Sequence, residues 1–204
     1  MKLFKLTQTI YDYLYTDITQ FRKTFDLPCE DVSSLDEKAD NLHSSLIIEE
    51  LTELAEANSK IEQADAIVDS VYVLMGRLVH RGDKKVEDNI AISYLIDLFL
   101  NVAKCREIDF LSCWDEVHSS NMSKVCHNQK EYQDTRAFYA KQGIELVDSI
   151  KNGFVVAKCA KDVQLGGKLI RQGKVLKSVF YRPADLNNIV DLKCNLKEPL
   201  LSPQ

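Results

Sequence analysis

The sequence predicts a mainly α protein, consisting of a helical bundle followed by a small α+β extension. Apolar residues recur at spacings of three and four along several long segments before Ser123, a pattern typical of amphipathic helices. Short β-branched runs separated by glycine turns follow only after that residue, as expected of hairpin strands. With 204 residues and 45% hydrophobic content, the chain is long enough for one good-sized core. We expect the bundle over residues 1–124, the extension packed on it over 125–190 and a tail over 191–204.

Five predicted helices make up the bundle. The first carries a stripe of Ile10, Leu14 and Ile18 and ends before Pro28. The third is apolar on nearly all sides, which is typical of a central helix, and Gly82 lies where a left-handed residue would close it. The helices cover about residues 7–25, 41–58, 60–80, 85–106 and 109–120, with a polar connector over 29–40.

The predicted extension begins with a short helix over about residues 130–143, which Gly143 would end. Strand-like segments follow, and glycine-containing turns separate them. These segments cover about residues 145–150, 153–159, 169–170 and 174–180. We therefore expect one or two hairpins in this part of the chain.

Two groups of acidic residues lie within the second and third predicted helices. The second helix contains the pattern Glu-Glu-x-x-Glu, and the third contains Glu-x-x-Asp-x-x-x-Asp. The residues are Glu49, Glu50 and Glu53 in the second helix and Glu62, Asp65 and Asp69 in the third. Each set has helical spacing, so its carboxylates can share one face of a helix.

These acids occupy positions that otherwise look like core. At about 100° per residue, Glu50 falls within about 40° of Leu46, Leu54 and Ala57. The acids of the third helix form one stripe, roughly 60° wide, on a helix that is otherwise apolar. Acids are rarely buried unless they are paired or bind metal. Two such helices packed together would form an oxygen-lined cage for a hard cation, namely Mg2+ or alternatively Mn2+. The alternative is that Glu-rich segments are solvated helix surface.

The same residues carry a resemblance to a known family. Glu49-Glu50-Leu-Thr-Glu53, followed by Asp65 and the segment Asp69-Ser-Val-Tyr-Val-Leu-Met-Gly76, resembles the all-α nucleoside triphosphate pyrophosphohydrolases. This superfamily comprises MazG-like enzymes, phosphoribosyl-ATP pyrophosphohydrolase and dimeric dUTPases. The resemblance implies a MazG-like bundle in which Glu50, Glu53, Asp65 and Asp69 hold Mg2+. Glu49 or Glu62 would orient a water or complete a second metal's shell.

The family pattern fits this chain in two ways. Glu62-x-x-Asp65 satisfies the family's Glu-x-x-Asp, but the residues after Asp69 resemble those after the family's last Asp. In the second alignment the family Glu falls on Ala66, and Asp65 has to replace it. We favour the second alignment, in which Glu62 is an auxiliary residue.

A second similar block lies downstream and supplies the predicted substrate contacts. Val117-His-Ser-Ser-Asn121-Met-Ser-Lys124, then Gly173-Lys174-Val-Leu-Lys177, and Tyr181-Arg-Pro-Ala-Asp-Leu186 resemble segments of one MazG-like subgroup. Asn121 could read a base or ribose, since its amide both donates and accepts hydrogen bonds. Lys124, Lys174 and Lys177 would supply positive charge for phosphate oxygens. The alternative for Asn121 and Lys124 is an ordinary helix end, and for Lys174 and Lys177 ordinary exposed lysines.

Composition narrows the remaining classes of function. A net charge of −5 does not predict nonspecific nucleic-acid binding. We expect no signal peptide and no membrane span. The six cysteines follow no Cys-x-x-Cys pattern, which favours reduced thiols and a cytoplasmic protein. There is neither a P-loop nor the repeated Glu-x-x-His of a di-iron bundle. The cysteines are residues 29, 105, 113, 126, 159 and 194.

The reaction that the resemblance implies is Mg2+-dependent hydrolysis of a nucleoside triphosphate between its α- and β-phosphates, giving the monophosphate and pyrophosphate. Two alternatives remain open: a pyrophosphohydrolase of a phosphoribosyl-ATP-like metabolite, and a non-catalytic protein that binds a nucleotide or a partner. Family members usually assemble as homodimers or higher homo-oligomers. The additional helix at 85–106 could instead complete the bundle within one chain.

Overall fold

The protein is mainly α, as the sequence predicts. The computed structural model describes residues 2–151 and 153–191, without the side chains of residues 151, 168 and 191. In these residues, seven α-helices accompany two small β-hairpins. The helices are α1 Gln8–Thr24, α2 Glu37–Glu56, α3 Lys60–Arg81, α4 Ile90–Cys105, α5 Phe110–Met122, α6 Gln129–Ala140 and α7 Asn187–Asp191. The strands are β1 Leu146–Lys151, β2 Phe154–Cys159, β3 Val163–Leu165 and β4 Lys168–Ile170.

Helix α3 is the centre of the bundle and packs against α1, α2, α4, α5 and α7. Its start is defined by a capping box, in which Ser59 accepts from the backbone N–H of Glu62 and the Glu62 carboxylate accepts from that of Ser59. Its end is defined by Gly82, whose φ of 81° is a left-handed conformation that side chains other than glycine rarely adopt. More than half of its residues are buried, which confirms the prediction of a central helix.

Helix α2 covers α3 but is itself only half-covered. It begins at Glu37, earlier than the sequence suggested, because the Asp36 carboxylate accepts from the backbone N–H of Ala39 at 2.8 Å. Its single fully buried residue is His43, while Ile48 is 63% exposed. The predicted polar connector therefore ends early, and it also holds a short 3-10 helix, Val32–Ser34. Helix α4 starts at Ile90 rather than near residue 85, because Asn89 caps its N-terminus.

The extension is built on two antiparallel hairpins, β1–β2 and β3–β4. The strand predicted at 174–180 is wrong, because this segment pairs with β2 only near Val175. Its backbone hydrogen bonds go first to β2, from Leu176 to Ala157, and then to the end of α5, from Ser178 to Lys124. A segment that changes partner in this way cannot form a continuous ladder. Its path brings the lysines of the extension to the side of α2.

Three further features concern the predicted organisation. The expected tail over 191–204 lies outside the described residues except for its first position, Asp191, which ends the unpredicted α7. Four of the cysteines in the described part of the chain are free thiols: Cys29, Cys105, Cys126 and Cys159. Among the described helices, none combines the length and apolar character that a membrane crossing needs.

Candidate active site

A cleft of about 1390 Å³ lies between α2, α3, the end of α1 and the extension. Both predicted sets of functional residues contribute to it, although they are far apart in sequence. The cleft is lined by seven of the predicted site residues: Glu49, Glu50, Asp69, Asn121, Lys124, Lys174 and Lys177. Acidic side chains from the helices thus face the basic side chains of the extension and of the end of α5.

Glu50 has the least compensated carboxylate in this cleft. Its Oε2 atom is buried and has no hydrogen-bond partner among the described residues. Burial, followed by the charges of Asp69, Glu53 and Glu49, raises the pKa of Glu50 to about 8. A carboxylate that is desolvated and crowded by like charges favours its protonated form unless a cation neutralises it. Glu50 is therefore poised to bind a cation.

Asp69, whose charge acts on Glu50, has a similar environment. Burial, and secondarily the charge of Asp65, raises the pKa of Asp69 to about 7, while the Lys124 ammonium opposes this shift. Asp65 is one helical turn earlier and more exposed. Partial burial and then the charge of Glu53 raise its pKa as well. The charge of Glu53 therefore acts on Glu50, Asp65 and Asp69, and the charge of Asp69 acts on Glu50.

The acidic cluster fits a divalent cation by its chemistry but does not present a finished coordination sphere. Among residues 2–151 and 153–191, no group of three or more His, Cys, Asp or Glu side chains has the geometry to hold a metal ion. The donor set nevertheless consists of carboxylate oxygens, which Mg2+ prefers. The buried, unpartnered Oε2 of Glu50 is the observation that supports a cation there. Side-chain rotations in α2 and α3 would be needed to bring the oxygens together.

Glu62 has a different environment from the other acids. Its Oε2 accepts hydrogen bonds from the backbone N–H groups of Asn58 at 2.7 Å and Ser59 at 3.0 Å. These bonds lower the pKa of Glu62, in contrast to the raised pKa of Asp65 and Asp69. The carboxylate is exposed and serves as the second half of the capping box. This placement favours the alignment in which Glu62 is auxiliary.

The predicted substrate-binding residues form the opposite wall. Burial lowers the pKa of Lys124 to about 8, and the charge of Asp69 counteracts that effect. The Nζ of Lys174 lies 3.7 Å from a carboxylate oxygen of Glu49, and the Nζ of Lys177 lies 4.4 Å from the ring centroid of Tyr181. Asn121 is buried at the end of α5. The three lysines therefore provide positive charge opposite the acids.

The other residues that line the cleft include a basic group that was not among the predicted site residues. Arg22, His43 and His80 lie toward the N-terminal end of α2 and the C-terminal end of α3. A signal for Arg22 was present in the sequence, since it continues the Leu14–Ile18 stripe at a spacing of four. His43 precedes Glu50 by two helical turns and so shares its face.

Comparison with known proteins identifies a related family over the helices that carry the acidic residues. Residues 18–90 match the family model of phosphoribosyl-ATP pyrophosphohydrolase. The matched segment contains α2 and α3 with all six acidic residues, whereas Asn121, Lys124, Lys174 and Lys177 lie beyond it. Comparisons with curated proteins and with solved structures gave no match. This match supports the resemblance of residues 18–90 to the all-α nucleoside triphosphate pyrophosphohydrolase superfamily.

Proposed function

We propose that this protein is a divalent-metal-dependent pyrophosphohydrolase that cleaves a nucleoside triphosphate between its α- and β-phosphates, releasing a nucleoside monophosphate and pyrophosphate. The family match supports a pyrophosphohydrolase acting on a nucleotide-like substrate. The observation that carries the proposal is the single cleft in which crowded carboxylates face three lysines. A triphosphate chain needs both cations and positively charged side chains around its oxygens.

In this proposal Glu50, Glu53, Asp65 and Asp69 hold Mg2+ or Mn2+. When bound, such an ion supplies Lewis-acid polarisation of the phosphate oxygens and a lower pKa for the attacking water. The protein side of the interaction is the relief of crowding, because a cation stabilises the ionised forms of Glu50 and Asp69 that burial and neighbouring carboxylates disfavour. Repulsion between the carboxylates of the cluster thus favours the binding of a cation.

The remaining residues position the substrate and the water. Lys124 lies within electrostatic reach of Asp69 and Glu50, so its ammonium can neutralise phosphate oxygens next to the acids. Lys174 and Lys177 add positive charge on the same side. Glu49 is paired with Lys174 at 3.7 Å, and this contact orients its carboxylate to accept a proton from an attacking water.

Release of pyrophosphate from a panel of nucleotides tests the proposal. Full-length protein would be incubated with Mg2+ or Mn2+ and nucleoside triphosphates, with phosphoribosyl-ATP as the competing substrate class. We expect monophosphate and pyrophosphate as the products from a triphosphate. Turnover of phosphoribosyl-ATP alone would support the alternative that the family match also allows. Nucleotide binding without any turnover would indicate the non-catalytic alternative.

We further propose a homodimer. On α2, Ile48 is 63% exposed and Leu51 is 39% exposed, and exposed apolar residues are typical of an interaction surface. Light scattering of the purified protein would determine the assembly. A monomer at micromolar concentration would refute the proposed homodimer.

A further inference from the structure

The end of the cleft away from the acids contains a buried arginine and two neighbouring histidines. His43 lies seven residues before Glu50 on α2, which corresponds to about 10 Å along the helix axis. Arg22 and His80 line the same part of the cleft from α1 and α3. A ribose and a nucleobase can bridge this span from a phosphate chain held at the acids.

Arg22 is the group in this region that most needs a ligand. It is 93% buried, and its Nε donates to the carbonyl oxygen of Pro28. Among the described residues it forms no salt bridge with a carboxylate, and burial lowers its pKa to about 10. Its Nη1 lies 3.8 Å from the position that a Cβ on Gly76 would occupy. A desolvated guanidinium without an acidic partner is costly unless acceptors meet its remaining N–H groups.

The hydrogen bonds of the two histidines determine which ring nitrogens carry protons. The hydroxyl of Ser34 donates its one proton to the carbonyl oxygen of Asp31 at 2.8 Å. It must therefore accept from Nε2 of His80, which lies 2.8 Å away. His80 Nδ1 is then an acceptor, so that Nε2 of His43 donates to it across 2.9 Å. In a neutral His43, Nδ1 is consequently left with a lone pair.

We propose that Arg22 and His43 form a nucleobase subsite for the edge that places a carbonyl oxygen next to a ring N–H, as in hypoxanthine, guanine and uracil. The guanidinium donates to the carbonyl oxygen, and Nδ1 of His43 accepts from the ring N–H. Adenine and cytosine present an amino group next to an unprotonated ring nitrogen, which reverses both polarities. This inference rests on the proposed function, because it identifies the base of that nucleotide.

A second phosphate is the competing ligand for a buried arginine. Phosphate oxygens only accept hydrogen bonds, so that a phosphate would meet an unfavourable lone pair on His43. Burial and then the charge of Arg22 lower the pKa of His43 to about 4, and the same two causes lower that of His80. Both rings are therefore neutral at pH 7. One donor group beside one acceptor group matches a base edge better than an anion.

Matched nucleotide pairs test the assignment. ITP differs from ATP, and UTP from CTP, at the edge in question. The ratios of kcat/KM for pyrophosphate release would be measured for the wild type and for Arg22→Gln, Ser34→Ala and the control Arg77→Gln. Arg77 pairs with Asp40 at 2.6 Å and does not line the cleft. We expect wild-type preferences between about five- and one-hundred-fold for ITP and UTP, the range typical of one bidentate contact to a base.

The variants distinguish recognition from folding. Arg22→Gln should bring both ratios to within about threefold of one by slowing ITP and UTP specifically, and Arg77→Gln should leave them unchanged. Ser34→Ala tests the histidine chain without touching the buried arginine, and it should also lower both ratios. It keeps the assignment testable if Arg22→Gln fails to fold. Ratios near one in the wild type, or an equal loss on all four nucleotides in Arg22→Gln, would overturn the assignment. Preference for nucleotides with an additional phosphate, whatever their base, would overturn it as well.

Binding measurements separate this inference from the proposed function. Calorimetry with α,β-methylene analogues of ITP and ATP needs no catalysis. A preference for the ITP analogue that Arg22→Gln removes would support the subsite even if no pyrophosphate were released. Equal affinity for both analogues would refute it even in an active enzyme.

Discussion

Replacing Glu50 by Gln is expected to abolish hydrolysis and, at the same time, to stabilise the metal-free protein. The pKa of this carboxyl is raised from an ordinary value of 4.5 to about 8, by burial and by the charges of Asp69, Glu53 and Glu49. Its Oε2 is buried, and no hydrogen bond reaches it from the part of the chain that the structure describes. Gln keeps the size and the polarity of the side chain while removing the charge.

The magnitude follows from the proton linkage. Between pH 4.5 and pH 8 the folded protein retains a proton on Glu50 that the unfolded chain has lost, so stability falls as the pH rises. Over the full interval the unfolding free energy falls by about 5 kcal/mol, and about 3 kcal/mol of this loss has occurred by pH 7. We therefore expect Glu50→Gln to raise the unfolding free energy at pH 7 by on the order of 1–3 kcal/mol and to flatten its dependence on pH.

Urea unfolding from pH 5 to pH 8 in the presence of EDTA measures both effects. Glu56→Gln is the control, because Glu56 is an exposed acid on the same helix. Parallel pyrophosphate assays with Mg2+ would measure the loss of activity. An unfolding profile of Glu50→Gln that coincides with the wild type would refute the electrostatic argument. Full activity in this variant would remove Glu50 from the mechanism.

Three further predictions concern the same cleft. Lys124→Ala should weaken nucleotide affinity by about 1–3 kcal/mol, the range for a charge-assisted contact. Titration calorimetry checks this, with the exposed Lys130→Ala as the control, and equal affinities would mean that Lys124 is an ordinary helix-end residue. Glu62→Gln should keep measurable activity and most of the stability of the protein, because Gln can also complete a capping box, whereas Asp69→Asn should lose activity. A metal-soaked crystal with an ion on Glu62 but not on Asp69 would reverse the assignment. Mg2+ should raise the melting temperature more at pH 8 than at pH 6, because Glu50 and Asp69 must lose protons to bind it. Scanning fluorimetry before and after the addition of EDTA measures this difference, and equal shifts at both pH values would contradict the prediction.

Local sequence patterns were sufficient to predict six of the seven described helices and the positions of the acidic residues. The apolar surroundings of Asp69 on α3 and the position of Glu50 among apolar residues on α2 follow from a helical period that does not depend on distant contacts. The capping box of Ser59 and Glu62 was not predicted, although their three-residue spacing is its local signature. What local patterns could not predict was the conformation of residues 174–180, whose hydrogen-bond partners are set by tertiary packing.

Two properties of the site were decided by the tertiary structure. The first is the meeting of Lys124 and Lys174 with the acids across one cleft, which depends on how the extension docks on α5. The second is the environment of Arg22, whose apolar-stripe position predicts burial but not the absence of a carboxylate partner in the described residues. Helical periodicity fixes the direction of a side chain from its own neighbours, whereas charge compensation depends on groups distant in sequence. The sequence alone therefore determined the helices and their acidic faces, and only the folded chain determined what those faces meet.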